Sequence, residues 1–170
     1  MVILGVDPGL GATGYGVIET AAAPARVVVA GDIRTTKRDP LAKRLAFIHV
    51  ALAQVIRRCR PQTLVLEKLF THHHHVTTAA LMAHARGMAC LVAQEHGVTL
   101  VEYPPTQVKS ALTGHGRASK QQVARMVGQW LGHLDQGWSA DATDALALAI
   151  VHARLAAQHR RLPVEMTLRE

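Results

Sequence analysis

The chain opens with short apolar runs separated by turn-forming residues, a pattern that predicts β-strands. The first run spans residues 2–7, ends in an acid and is followed by Pro8 and several glycines that break it into a turn. Strand patterns resume over residues 15–19 and 26–34. Three strands connected as a β-meander are therefore expected before the first helix.

A helical period begins after this meander. Between residues 40 and 60, apolar residues recur at intervals of three and four, with Lys and Arg largely between them. This pattern predicts an amphipathic helix that Pro61 ends. The next apolar run, residues 63–67, is typical of a strand buried on both faces, and it again terminates in an acid.

The rest of the chain predicts four helices and one further strand. The helices are expected at residues 76–96, 106–112, 119–131 and 139–158, and the strand at residues 98–103. One face of the first of these helices has small residues that permit a close contact with another helix, namely Ala79, Ala83, Gly87 and Cys90. The last helix is expected to start at Ser139, a favoured N-cap residue.

This order of elements predicts an α/β fold in which a mixed sheet is flanked by helices. The chain shows no internal repeat and no linker, so residues 1–158 are expected to form one domain. Residues 159–170 are expected to form a basic, mobile tail. The length of 170 residues suffices for one hydrophobic core.

Charge indicates the kind of partner. Nineteen Lys and Arg against twelve Asp and Glu give a formal net charge of +7 with His neutral. Such a chain is expected to bind a polyanion, although net charge alone also fits a basic protein without a nucleic-acid role. The apolar runs are shorter than the ~20 residues that span a bilayer, and no signal peptide precedes the two cysteines, so a cytoplasmic protein with no membrane role is expected.

Two acids each end a predicted strand. Asp7 alone could simply initiate the Pro-Gly turn that follows it. Glu67 ends a run that is expected to be buried, where an unpaired carboxylate would carry a large desolvation cost. Neighbouring strand residues point to opposite faces, so the partner of Glu67 is expected to be a metal ion or a distant basic group instead of Lys68.

Two more acids, Asp141 and Asp144, are three residues apart at the start of the final helix and therefore share one face. Alone, they could simply interact favourably with the helix dipole. Together with Asp7 and Glu67 they offer the hard oxygen ligands that suit Mg²⁺ or Mn²⁺, without the His and Cys spacing of a zinc site. Two ions about 3.5–4 Å apart would support in-line hydrolysis of a phosphodiester.

Several motifs resemble the RuvC family of Holliday junction resolvases. They are LGVDPG at residues 4–9, GYG at 14–16, VLEKLF at 65–70, QVK at 107–109, GHGRASK at 114–120 and ADATDALA at 140–147. The order and spacing agree over about residues 1–155. The resemblance implies an RNase H-like fold, a homodimer, and symmetric nicking of two like strands of a four-way junction in homologous recombination and DNA repair.

The resemblance also implies roles for individual residues. Asp7 would lie between two Mg²⁺ (or Mn²⁺) ions, and Glu67, Asp141 and Asp144 would complete the ligands. Lys120 would lie near the scissile phosphate. Residues implied in DNA binding are Lys109, Arg117 of the GHGRASK motif, and Phe70. The Phe70 ring would stack on or wedge against bases at the crossover. Phe70 could instead be a core residue. A RuvA–RuvB branch-migration complex is the implied protein partner.

There are three alternatives to this interpretation. An actin-like or sugar-kinase ATPase also begins with an acid-ended strand and Gly-rich turns, but such proteins pair two lobes and are much longer than 170 residues. A catalytically silent junction-binding protein would keep the basic surface and lose the acids, and all four acids are present. An RNase H-like nuclease that acts on RNA–DNA hybrids is a third alternative.

The sequence departs from the family at two places after Glu67. Lys68 occupies a position where relatives usually have a second acid or an amide. The run of histidines at 72–75 replaces mixed polar residues, and because neighbours point apart, four imidazoles in a row cannot all bind one zinc ion. A solvated loop is the simplest expectation.

We expect this histidine loop to lie against the junction and to take up protons as phosphates approach. Replacing all four histidines with Ser should then weaken junction affinity at about pH 6 more than at about pH 8. A binding titration at both values checks this, and equal affinity for both proteins throughout would refute it.

Overall fold

The apolar runs form five strands of one sheet. They are β1 (Val2–Asp7), β2 (Ala12–Glu19), β3 (Arg26–Arg34), β4 (Thr63–Glu67) and β5 (Thr99–Tyr103). The structure is a computed structural model that describes residues 1–21, 24–68, 76–132 and 137–161. Strands follow the order β3-β2-β1-β4-β5, with the meander antiparallel and β1, β4 and β5 parallel.

Each predicted strand is confirmed, and β2 begins earlier than expected. It starts at Ala12 instead of Tyr15 because the antiparallel register pairs Ala12 with Arg34 and Gly14 with Asp7. Gly14 thus continues the ladder, whereas Gly9 and Gly11 lie in the connection between β1 and β2, as predicted. The mixed sheet predicted from the element order is the sheet observed.

Five helices cover the two faces of the sheet. They are α1 (Leu41–Cys59), α2 (Val76–Glu95), α3 (Pro105–Thr113), α4 (Lys120–Trp130) and α5 (Ala140–Arg161). Helices α1 and α2 pack on one face, while α3, α4 and α5 pack on the other. The predicted helices are confirmed with their ends displaced by one to three residues, and α5 continues past the expected end at residue 158 to Arg161.

The core has two layers because successive residues of the buried strands face opposite sides. In β4, Leu64 and Leu66 face α1 and α2, whereas Val65 faces α5. Aliphatic and alanine side chains dominate both layers. A strand that is buried on both faces therefore delivers Glu67 to the edge of the sheet.

Helix α5 rests its backbone directly on β1 and β2. A Cβ atom added to Gly5 would overlap the carbonyl oxygen of Ala145, and one added to Gly14 would overlap the carbonyl oxygen of Asp141. One added to Gly16 would lie 2.7 Å from the side chain of Leu146. We call Gly5, Gly14 and Gly16 the glycine seat, since only hydrogen at these positions lets the helix approach.

The small-residue face of α2 packs within the chain only in part, because Cys90 contacts the core. Ala83 and Gly87 are exposed, and a Cβ added to Gly87 would meet open space. The two cysteines are free and half-buried. Within the described ranges, no helix combines the length and apolar character needed to cross a membrane.

Some predictions concern residues outside the described ranges. These are the roles of Phe70 and the histidines at 72–75, and most of the tail, residues 162–170. The division into a domain at 1–158 and a tail at 159–170 stays a prediction.

The glycine seat predicts a large stability cost for one added methyl group. Gly5→Ala should lower the free energy of unfolding by about 2 kcal/mol or more, because the methyl group meets backbone and cannot be relieved by a side-chain rotation. Gly11→Ala is the control, since its Cβ would have no neighbour within 4 Å. Urea unfolding of both variants measures the difference, and equal stability would contradict the account.

Candidate active site

The topology brings two acids together at one edge of the sheet. Strands β1 and β4 are parallel neighbours, with Val6 paired to Leu66, so Asp7 and Glu67 follow at adjacent positions of the same edge. Carboxyl ends of parallel strands are where α/β sheets commonly place their sites. The strand-end acids of the sequence are therefore neighbours in space.

Helix α5 adds the other two acids. Gly14 pairs with Asp7, and the backbone of Asp141 lies directly over Gly14, so the first turns of α5 stand beside Asp7. Asp144 follows one turn later on the same face. All four predicted carboxylates thus meet, although they come from three separate elements.

Asp7 is the most perturbed of these acids. Burial, followed by the negative charges of Asp144, Asp141 and Glu67, raises the pKa of Asp7 to about 7 in total, with Lys120 acting in the opposite direction. The like charges face one another in a partly desolvated position. A strongly perturbed carboxylate in such a cluster is typical of a functional site.

Glu67 shows the same pattern more weakly. Burial and the charge of Asp144 raise the pKa of Glu67, and Lys109 and Lys120 lower it. These two lysines are the distant basic groups that the buried acid was expected to need. Lys68 is exposed, and it is not among the groups that shift the pKa of Glu67.

Arg86 of α2 holds the end of β4 in place. Its guanidinium donates a 2.7 Å hydrogen bond to the carbonyl oxygen of Glu67 and forms an ion pair with Glu102 of β5. The role of this residue is not visible in the sequence pattern. Its one signal was a lone cation within an apolar helix, which does not reveal a partner so far away in the chain.

Lys120 is the cation nearest to the α5 acids. Its ammonium nitrogen lies 3.2 Å from Oδ2 of Asp144, and this contact raises the pKa of the Lys120 side chain. Helix α4 starts there because Ser119 and Gln122 form a capping box. The Lys120 side chain is 84% exposed, so an incoming phosphate can reach it.

Two other predicted residues lie around this cluster. Lys109 of α3 is half-buried and close enough to act on Glu67. Arg117 is exposed in the loop between α3 and α4, and among the described residues no hydrogen bond or ion pair joins it to the carboxylates. Its role in DNA binding stays a prediction.

The start of α5 is set by Ser139. Its hydroxyl oxygen accepts a 3.0 Å hydrogen bond from the Ala142 amide, which confirms the predicted N-cap. The same hydroxyl donates to Oδ1 of Asp32 on β3 at 2.5 Å. Asp32 is a second residue that sequence reasoning missed.

The cluster suits a hard divalent cation by its chemistry, without being a preformed cage. Four carboxylates with mutually unfavourable charges provide oxygen ligands for Mg²⁺ or Mn²⁺. Among the residues that the structure describes, no three His, Cys, Asp or Glu side chains already stand where they could hold one ion. The four carboxylates are close enough for their charges to interact, and those that bind a cation would have to turn towards it.

Comparisons with known proteins match nearly the whole chain. The model of a family described as crossover junction endodeoxyribonuclease RuvC matches residues 3–152. The RuvC protein of Chromohalobacter salexigens is 43% identical over 95% of this chain and 85% of its own length. That of Moorella thermoacetica is 40% identical over 95% of this chain and 96% of its own length.

Solved structures show the same fold. The RuvC of Thermus thermophilus in complex with a Holliday junction substrate superposes with a TM-score of 0.86 at 35% identity, covering 94% of this chain and 96% of that one. The yeast mitochondrial Holliday junction resolvase has a TM-score of 0.66 at 13% identity, covering 93% of this chain and 80% of that one, and shows the fold alone. The RNase H-like fold is thereby confirmed.

The charge repulsion at Asp7 predicts a pH-dependent stability of the metal-free protein. The pKa of Asp7 is about 7 in the folded chain and about 4 when unfolded, so between these values only the folded chain keeps the proton. Stability should therefore fall as the pH rises from about 4 to about 7. Asp7→Asn should remove this loss and be more stable by about 2–4 kcal/mol at about pH 8.

Urea unfolding in the presence of a chelator measures this difference. Asp39→Asn is a matched control, because it removes an exposed acid whose ion pair with Lys43 is worth less than about 1 kcal/mol. An Asp7→Asn effect of the same size at about pH 4 and about pH 8 would contradict the explanation.

Proposed function

The chain belongs to the RuvC family of crossover junction endodeoxyribonucleases, and on this basis we propose that it resolves Holliday junctions by metal-dependent nicking of two like strands. Its role is then in homologous recombination and DNA repair. The cytoplasm is the corresponding location, since the substrate is chromosomal DNA.

The convergence of Asp7, Glu67, Asp141 and Asp144 beside Lys120 is the observation that supports this function most directly. A protein that only binds junctions has no need for four repelling acids, whose proximity costs stability. The arrangement is useful where a divalent cation offsets the repulsion and a phosphodiester approaches the open side of the cluster.

Each residue has a distinct part in the proposed reaction. Asp7, Glu67, Asp141 and Asp144 would together hold two Mg²⁺ or Mn²⁺ ions. When bound, the ions would supply an activated water and stabilise the leaving oxygen of an in-line displacement. Lys120, once released from Asp144, would donate hydrogen bonds to the scissile phosphate and offset its charge.

The DNA contacts of the site follow from the positions of the remaining residues. Lys109 lies beside Glu67 and Arg117 lies exposed on the next loop, so both can reach phosphates on either side of the cut. Phe70 would stack on a base at the opened crossover. The last role rests on the sequence motif.

A homodimer accounts for two cuts in one junction. The exposed face of α2 supplies an interface, because Leu81 and Leu91 are 42% and 46% exposed there and Gly87 leaves room for close approach. We also include a RuvA–RuvB branch-migration complex as a partner of the working assembly.

Cleavage by Asp7→Asn tests the function. On a mobile four-way junction with Mg²⁺, the wild type should cut, while Asp7→Asn should bind with similar affinity and cut at least about 10³-fold more slowly. Glu19→Gln, which removes an acid paired with Arg26 away from the site, should cut normally. Linear duplex and an RNA–DNA hybrid run in parallel: cutting of the hybrid in preference to the junction, or full cutting by Asp7→Asn, would overturn the assignment.

The dimer is tested separately by mass in solution. Leu91→Glu should convert the dimer to a monomer, since it places a charge in the proposed interface. Val50→Glu is the control, because Val50 is similarly exposed at 51% but lies on α1. A wild type that is monomeric at all concentrations would exclude the dimer.

A further inference from the structure

A basic segment leads away from the candidate active site. Residues 34–44 contain five cations and one acid, so this short stretch contributes a net charge of +4 to the +7 of the chain. Arg34, Lys37, Arg38 and Lys43 are exposed there. The segment runs from the end of β3 into the first turns of α1.

The basic segment is attached to the loop that follows Asp7. Arg44 donates hydrogen bonds to the Leu10 carbonyl oxygen at 3.1 Å and to the Thr35 hydroxyl at 2.8 Å. The Thr35 hydroxyl in turn donates to the same Leu10 carbonyl at 2.6 Å. The end of β3 also lies at the same edge of the sheet as the end of β1, because both strands are antiparallel to β2.

We propose that residues 34–44 form a surface that binds the phosphate backbone of one duplex arm of the junction as it leaves the cluster of carboxylates. This inference rests on the proposed function. Arg44 holds the segment in place, while Lys37, Arg38 and Lys43 present their charges to phosphates. Contacts of this kind set the affinity and the orientation of DNA without reading its sequence.

The test compares two triple variants. One removes three cations from the proposed surface, and the other removes three cations from the opposite edge of the molecule. The test variant is Lys37→Gln/Arg38→Gln/Lys43→Gln. The control is Arg26→Gln/Arg57→Gln/Arg60→Asn, which changes the net charge equally and takes its residues from the start of β3 and the end of α1. Each set also breaks one exposed ion pair, Lys43–Asp39 or Arg26–Glu19.

Junction affinity is measured over a range of salt concentrations. The test variant should bind about 10–100-fold more weakly at moderate salt, with its log–log salt slope reduced by about two to three, and the control should resemble the wild type. The cutting rate of fully bound junction should not change. An unaltered salt slope in the test variant, beside a wild type that binds and cuts junctions, overturns this inference alone. A wild type that does not bind junctions overturns the proposed function.

A second feature concerns the way α5 is held beside Asp7. Residues Asp7, Gly14 and Asp32 are paired in one row across β1, β2 and β3. Directly paired residues point to the same face of a sheet, so the two aspartates flank Gly14, where the backbone of Asp141 lies. The first turn of α5 is therefore placed between them.

Ser139 connects this row to the helix. Its hydroxyl proton is donated to Asp32, and its lone pair accepts the Ala142 amide in the first turn of α5. Asp32 is itself held by a 2.9 Å ion pair with Arg34. The hydrogen bond that the hydroxyl donates and the one that it accepts together fix its orientation.

From this geometry we infer that Asp32 and Ser139 are positioning residues that set the approach of Asp141 and Asp144 to Asp7. The pair acts through the helix start and does not touch substrate. Outer groups that orient ligands typically change metal affinity by about 10–100-fold when removed. This inference rests on the metal site of the proposed function.

Mg²⁺ binding measures the effect without relying on activity. Asp32→Ala and Ser139→Ala should each raise the half-saturating Mg²⁺ concentration about tenfold, both in calorimetric titration and in junction cutting. Ser139→Thr keeps the hydroxyl and should retain the wild-type value. The double variant should lose no more than either single one, because the two residues act in one chain of hydrogen bonds.

Glu19→Ala is the control for loss of an acid that pairs with a cation. If both test variants are less stable but bind Mg²⁺ with unchanged affinity, Asp32 and Ser139 serve only to cap the helix. That outcome would overturn the inference. A wild type that binds no Mg²⁺ would instead overturn the metal site itself.

Discussion

The close seating of α5 on β1 and β2 is the constraint on which the candidate site depends. Side chains on the facing strands would hold a helix several ångströms away, and Asp141 and Asp144 would then not reach Asp7. The glycine seat removes those side chains. Backbone packs against backbone, and acids from a helix and from strand ends come together as a result.

The glycine seat also explains why the charges of the site destabilise the folded chain. Packing holds Asp7 where burial and three like charges disfavour its ionised form, and Lys109 and Lys120 offset only part of this for Glu67 and Asp7. The core supplies the opposing stability through two layers of aliphatic side chains. The fold therefore tolerates a local arrangement that a divalent cation would relieve.

Periodicity in the sequence predicted the elements well, because each strand and helix has a clear apolar pattern over its own length. The strand-end positions of Asp7 and Glu67 were equally local and could be predicted. Asp32 could not, because its partner Ser139 is 107 residues away and only the register across β1, β2 and β3 aligns them. The early start of β2 at Ala12 was hidden by glycines that usually mark turns.

The contact between α5 and the sheet also determines where the chain can change in length. A helix turns through about 100° per residue, so one residue inserted between Ser139 and Asp144 would rotate the acids away from Asp7 and offset the backbone from the glycine seat. The interval from the cap to the second acid must therefore keep its length.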